Sequence, residues 1–109
     1  MSIEEIQERK ILGMIGLSAK AGNMVCGTDA TIQDIERHKV SLVIVAKDSS
    51  EKTRKNMKFI CDKNKVRIIE FGKINDLSQA IGKNNKAIIG IKSKNIAQGI
   101  ENLLIQNRG

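Results

Sequence analysis

Apolar residues recur along this chain at helical spacing in some segments and without interruption in others. In residues 3–18 they fall on one helical face, and Ser2 with Glu5 forms a capping box at its start. Residues 42–46 read Leu-Val-Ile-Val-Ala, which is typical of a central strand covered by helices on both faces. The pattern predicts a long first helix and a buried strand at the centre of the protein. The predicted inward face of the helix comprises Ile3, Ile6, Ile11, Leu12 and Ile15.

The remaining segments continue this alternation of helices and strands. Turn glycines, caps and apolar runs predict strands at 24–26, 66–71 and 87–91, and helices at 28–37, 51–64, 75–81 and 94–106. Asp48 or a following serine is expected to cap the third helix, and Ser93 the last one. The fold class is therefore α/β, with three layers as the natural packing, in one domain spanning 1–109. Side chains expected to face inward from the second and third helices are Ala30, Ile32, Ile35, Met57, Ile60 and Cys61.

The chain is strongly basic, with 19 lysine and arginine residues, 12 acidic residues and a net charge of +7. Such an excess is typical of proteins that bind a polyanion, usually nucleic acid; a merely solvated basic surface is the alternative. Lys47 and Lys73 each follow a predicted strand, where loops converge at one end of an α/β sheet. We expect these two lysines to contact phosphate. The basic residues of 52–58 lie on several faces of a helix, so part of this group is ordinary surface.

No group of residues has the pattern of a catalytic or metal site. His38 falls at the end of a predicted helix, where a cationic cap explains it better than a catalytic base does. Cys26 and Cys61 lack metal-ligand spacing and are expected to be small core residues. Gly13 and Gly16 have GxxG spacing within a helical pattern, which predicts close helix packing. The sequence predicts a protein without catalytic activity, bound metal or cofactor.

Two further features narrow the expected partners. Phe59 and Phe71 are the only aromatic residues, which disfavours a single-strand binder that stacks bases on aromatic platforms. The first segment is broken by charges, and no run is long enough to cross a bilayer, so we expect a cytoplasmic protein without a membrane partner.

Several segments resemble one known family. Residues 27–37 (GTDATIQDIER) and 42–48 (LVIVAKD) are similar to the core signature of the kink-turn RNA-binding ribosomal proteins. Asp76-Leu77, with Gly82, falls in register with a later helix of that family, and residues 18–22 are similar to its short bacterial members of the YlxQ type. The resemblance extends over about 11–104. It implies a three-layer αβα sandwich around a small mixed four-stranded sheet.

The resemblance also implies a binding site. In that family a glycine turn and the following helical turn contact the sheared G·A pairs of a kinked RNA, and a later loop holds an extruded nucleotide. The family members that recognise kink-turns most strongly have Asn-Glu at the positions of Asp29-Ala30, and a lysine at the position of Gln33. Asp29 is also suited to cap the helix. The residues that receive these roles are Gly27, Thr28, Asp29, Ala30, Gln33, Phe71, Gly72, Lys73 and Ile74.

Ile74 has two possible roles, and Lys20 is a further candidate contact. Ile74 is either a hydrophobic staple onto the following helix or an exposed contact for a flipped-out base. Lys20, expected in the loop before the short first strand, offers a further edge for RNA.

The sequence and the resemblance together predict a non-catalytic, ribosome- or translation-associated RNA-binding protein. Its expected partner is structured, kink-turn-like RNA, in particular ribosomal RNA, and it is expected to be a monomer without RNA. One alternative is a protein-interaction module on the same fold that has lost kink-turn reading. Another is a detached substrate-binding piece of an RNA-modifying enzyme.

Overall fold

Helices and strands alternate along the chain as the sequence predicts. The structure is a computed structural model that describes residues 2–106. In order, its elements are α1 (Ile3–Lys20), β1 (Met24–Cys26), α2 (Thr28–Glu36), β2 (Leu42–Val45), α3 (Glu51–Asn64), β3 (Arg67–Glu70), α4 (Ile74–Ala80), β4 (Ile88–Ile91) and α5 (Lys94–Gln106).

The four strands form one mixed sheet in the order β1-β4-β2-β3. β2 and β3 are parallel, with Leu42 opposite Arg67, whereas β4 runs antiparallel to both of its neighbours. Therefore β1, β2 and β3 all end where β4 begins. The loops after three strands and the loop before the fourth meet at one end of the sheet, which we call the loop end.

Two hydrophobic cores lie on opposite faces of the sheet. Leu42 and Ile44 of β2 belong to the core beneath α1, α4 and α5. Val43 and Val45 of the same strand belong to the second core, beneath α2 and α3. This alternation confirms the predicted three-layer αβα sandwich and explains why β2 has no polar position.

Serine caps start three helices as the sequence predicts. Ser2 Oγ accepts a hydrogen bond from the Glu5 amide at 3.1 Å, and Ser50 Oγ accepts one from the Thr53 amide at 3.1 Å. Ser93 Oγ accepts one from the Ile96 amide at 3.2 Å. The capping residue of α3 is thus Ser50 and not Asp48.

Three residues that were expected to face inward are exposed. Ile3 and Ile6 are exposed because α1 has 18 residues, about 27 Å, and extends beyond a sheet whose strands have at most four. Ala30 is exposed because Thr31 and Ile35, one turn apart, form the buried side of α2.

Both cysteines are free, as expected of small core residues. Cys26 is half-buried, and Cys61 is fully buried in the second core. Burial, with a smaller contribution from the Asp62 carboxylate, raises the pKa of the Cys61 thiol from 9.0 to about 11. This thiol therefore stays protonated and unreactive at neutral pH.

The described residues contain neither a metal-type cluster nor a membrane-spanning helix. Across residues 2–106, no three or more histidine, cysteine or acidic side chains are grouped as a metal site would require. In the same range no helix combines the length and apolarity needed to cross a membrane.

The two glycines of the GxxG spacing in α1 differ in their surroundings: Gly16 lies against α4, whereas Gly13 faces open space. A Cβ on Gly16 would lie 2.9 Å from the backbone oxygen of Ala80 in α4, which confirms close helix packing there. A Cβ on Gly13 would have no neighbour within 4 Å in residues 2–106, so the prediction is wrong for this position.

These two glycines are expected to respond in opposite ways to alanine. Gly13→Ala should raise the free energy of unfolding by about 0.5–1 kcal/mol, because alanine favours the helix and meets no neighbour. Gly16→Ala should lower it by about 1–2 kcal/mol, because backbone must shift to admit the methyl group. Denaturant unfolding of the two variants tests this, and changes of the same sign would contradict the packing.

Candidate nucleic-acid interface

Backbone hydrogen bonds join the loops at the loop end into one row. The Gly27 amide after β1 donates to the Ile88 oxygen at 2.9 Å, and the Ala46 amide after β2 donates to the Ala87 oxygen at 2.9 Å. The Lys47 amide donates to the Gly72 oxygen after β3 at 2.8 Å. The structure thus brings together the glycine turn, Lys47 and the loop after β3, as the topology requires.

The glycine turn presents the start of α2. Gly27 is the N-cap, with φ +89° and ψ 158°, a conformation that side chains other than glycine rarely adopt. The first hydrogen bond of the helix runs from the Thr31 amide to the Gly27 oxygen at 3.1 Å. The amides of residues 28–30 therefore have no acceptor within α2. Within the described part of the chain, no side-chain hydrogen bond caps this end of α2. The amides are therefore positioned to receive an anionic or hydrogen-bond-accepting group.

The exposed side of α2 continues from these amides. Asp29, Ala30 and Gln33 are exposed at neighbouring helical positions. Asp29 lies in the first helical turn and is not the N-cap, which corrects the interpretation of this residue as a cap. Its negative charge is favourable to the helix dipole but repels a phosphate placed nearby.

Lys86 is a candidate interface residue that the sequence patterns do not indicate. Its Nζ lies 3.8 Å from the position that a Cβ on Gly27 would occupy, so the cation stands beside the start of α2. The Lys86 backbone is held by Ser78, whose Oγ accepts from the Lys86 amide at 2.8 Å. Lys86 precedes a strand, and only the antiparallel direction of β4 brings that strand start to the loop end. Sequence patterns did not give this direction.

The loop after β2 is held in place by an arginine. Lys47 is exposed, and its carbonyl accepts from Arg54 Nη1 at 3.2 Å; the same nitrogen donates to the Ser49 carbonyl. Arg54 Nε also pairs with Glu70 Oε1 at 3.2 Å. Arg54 is therefore a positioning residue for the loop that presents Lys47.

Two side chains of the loop after β3, Phe71 and Ile74, differ from their predictions, and Lys73 is exposed as expected. Phe71 is only 8% exposed and packs in the core, so its ring is unavailable for stacking. Lys73 is the exposed N-cap of α4. Ile74 is the first helical residue, half-buried, and its amide donates to Asp48 Oδ1 at 2.8 Å. A staple residue precedes the N-cap, so the staple interpretation of Ile74 is wrong.

A groove of about 550 Å³ opens between this loop and α1. Lys47 and Lys73 line it on the loop side, and Glu4 and Glu8 line it on the α1 side. Gln7 Oε1 is buried there without a hydrogen-bond partner among the described residues. The mixed charge suits an uncharged group such as a nucleobase better than it suits a phosphate.

Lys20 does not join the row of loops. It is the last residue of α1 and not a loop residue, and it precedes the start of β1, at the opposite end of the sheet. There it lines a separate groove with Asp76 and Gln79 of α4. His38 also lies away from the row, two residues after the end of α2, in a left-handed conformation with φ +59°.

The fold and the row of loops define a small αβα protein with cations and helix-start amides at one end of its sheet. Residues 9–100 match the ribosomal protein L7Ae/L30e/S12e/Gadd45 family. The chain belongs to this family.

The similar proteins agree with this assignment. The chain is 32% identical over 102 residues to the RNA-binding protein YlxQ of Enterococcus faecium, covering 94% of this chain and 98% of that protein. It is 26% identical over 91 residues to the RNA-binding protein YlxQ of Bacillus subtilis strain 168, covering 84% and 91%.

Two solved structures share the fold. A protein of unknown function from Bacillus halodurans C has a TM-score of 0.83 and 26% identity, covering 87% of this chain and 96% of that one. The 15.5 kDa RNA-binding protein of Giardia lamblia has a TM-score of 0.78 and 16% identity, covering 97% and 89%. The latter likeness concerns the fold alone.

Proposed function

We propose that this protein binds structured, kink-turn-like RNA through its loop end and carries out no catalysis. The observation that carries the proposal is the hydrogen-bonded row that places the start of α2, Lys86, Lys47 and Lys73 side by side. Relatives of similar length are named RNA-binding proteins, which supports the same function here.

The geometry divides the proposed contacts into two kinds. The amides of residues 28–30, together with Lys86, Lys47 and Lys73, contact phosphate and sugar and so fix the orientation of the RNA. The exposed side chains of Asp29 and Gln33 face the bases of the kink. The groove between the loop after β3 and α1 receives one extruded base.

The cellular setting follows from the same proposal. We propose that the bound RNA is ribosomal, that the protein is translation-associated and cytoplasmic, and that it is monomeric without RNA. The family includes ribosomal proteins by its description, which supports this setting.

A gel-shift titration tests the proposal with three RNAs: a kink-turn RNA, a straight duplex of equal length and a single strand, each at two salt concentrations. We expect the kinked RNA to be preferred at both concentrations, because its shape aligns phosphates with the fixed amides and lysines. Binding to all three should weaken as salt rises. Equal, salt-labile binding to all three would contradict the proposal and favour the protein-interaction alternative.

A paired variant sharpens the same experiment. Asp29→Asn with Ala30→Glu restores the pair found in strong kink-turn readers of the family, at positions where both side chains are exposed. We expect its selectivity for the kinked RNA over the duplex to rise. An unchanged ratio would show that these two positions do not face the bases.

A further inference from the structure

The outer face of α3 carries a second group of exposed residues that the loop end does not use. Lys52, Lys55, Phe59 and Lys63 follow at intervals of three or four residues, so they lie along one side of the helix. All four are exposed, and Phe59 is 67% exposed. The opposite side of α3 is buried in the second core. We call these four residues the α3 stripe.

The stripe lies in the most basic part of the chain. Residues 47–65 carry seven basic and three acidic side chains, which accounts for more than half of the net charge of +7. Lys55 Nζ pairs with Glu51 Oε1 at 2.9 Å, but both side chains are exposed and such a pair is readily exchanged for a phosphate. Asp62 is exposed next to the stripe and is the other acidic residue of the helix.

The exposed ring is the feature that distinguishes this stripe from an ordinary solvated face. Of the two phenylalanines, Phe71 packs in the core and Phe59 stands at the surface between lysines one turn before and one turn after it. An aromatic face accepts any nucleobase by stacking, while flanking lysines hold the phosphates on either side of it.

We propose that the α3 stripe binds a single-stranded segment of RNA, with one base stacked on Phe59 and phosphates at Lys52, Lys55 and Lys63. This inference rests on the proposed function, because α3 begins directly after the loop that presents Lys47. A strand that leaves the structured RNA at the loop end thus continues along α3. The stripe is about 16 Å long, enough for a short run of nucleotides.

A protein partner fits the stripe less well. Protein interfaces have an apolar centre built from several side chains, and Phe59 is the one exposed large apolar residue of α3. A single ring surrounded by cations matches a base and its phosphates in both polarity and size.

Tryptophan fluorescence tests the stacking directly, because the chain has no tryptophan of its own. The emission of a Phe59→Trp variant should be quenched by a kink-turn RNA with a six-nucleotide single-stranded extension, and by a hexanucleotide alone at higher concentration. Leu17→Trp is the matched control, since Leu17 is 56% exposed on α1 and its indole should not respond. Unchanged emission of the Phe59→Trp variant with every RNA would overturn the inference.

An affinity measurement separates this inference from the proposed function. The parent should bind the extended RNA more tightly than the blunt RNA, and Phe59→Ala should lose about fivefold or more on the extended RNA alone. If the blunt RNA binds but the extension adds nothing, the stripe proposal fails and the loop-end proposal stands. If the blunt RNA does not bind while the hexanucleotide still quenches the Phe59→Trp variant, the loop-end proposal fails and the stripe is supported.

Discussion

Replacing both Lys47 and Lys86 with alanine is expected to weaken binding of structured RNA about 10- to 100-fold at ~0.1 M salt. Each lysine that neutralises a phosphate releases a counterion, so the slope of log affinity against log salt should flatten by about 1 per lysine. The two residues flank one hydrogen bond of the row, from the Ala46 amide after β2 to the Ala87 oxygen before β4. Both are therefore expected to act on the same part of the bound RNA.

The control must remove the same charge from the opposite end of the sheet. Lys39 follows the end of α2 and Lys94 begins α5, and both are exposed. The Lys39→Ala/Lys94→Ala variant has the same net charge as the Lys47→Ala/Lys86→Ala variant but leaves the loop end intact. We expect it to keep nearly the parental affinity and slope. An equal loss in both variants would mean that the overall charge attracts RNA, without a defined site.

Half of this lysine pair could be predicted from the sequence. Lys47 follows an unbroken apolar strand, and loops after such strands gather at one end of an α/β sheet. Lys86 precedes its strand, so its place depends on whether β4 is parallel or antiparallel to its neighbours. Long-range pairing decides that direction, and local patterns of apolar and polar residues do not carry it.

The two phenylalanines show the same division between local pattern and tertiary packing. The pattern predicted a strand at 66–71, and the structure places its final ring in the core at 8% exposure. Phe59 has the same chemistry but falls on the outer side of α3, opposite Met57 and Cys61. The inward residues of α3 could be predicted from helical periodicity. The binding partner of the outward Phe59 ring could not, because the exposure of an apolar residue does not by itself indicate what it binds.

The glycine of the β4 strand gives the largest effect expected on stability. In Gly90→Ala, the new methyl group would lie 2.7 Å from Val25 Cγ1, which is closer than real side-chain contacts. It would also lie 3.3 Å from Thr31 Cγ2 and 3.3 Å from Val40 Cγ1. Because β1, α2 and the loop before β2 close around this point and valine is stiff in a strand, we expect the free energy of unfolding to fall by about 1–3 kcal/mol.

A compensating substitution distinguishes this crowding from a general intolerance of β4 to change. Val25 lies directly opposite Gly90 in the pairing of β1 with β4. Val25→Ala alone leaves a cavity and should also destabilise the protein. In the double variant the alanine at position 90 occupies the space that the valine side chain leaves. The loss in the free energy of unfolding of the double variant should therefore be smaller than the sum of the losses of the two single variants. Additive losses in denaturant unfolding would show that packing against Val25 does not explain the glycine. A smaller loss in the double variant would show that Gly90 is required because Val25 lies opposite it in β1. This pair lies next to the turn that presents the start of α2.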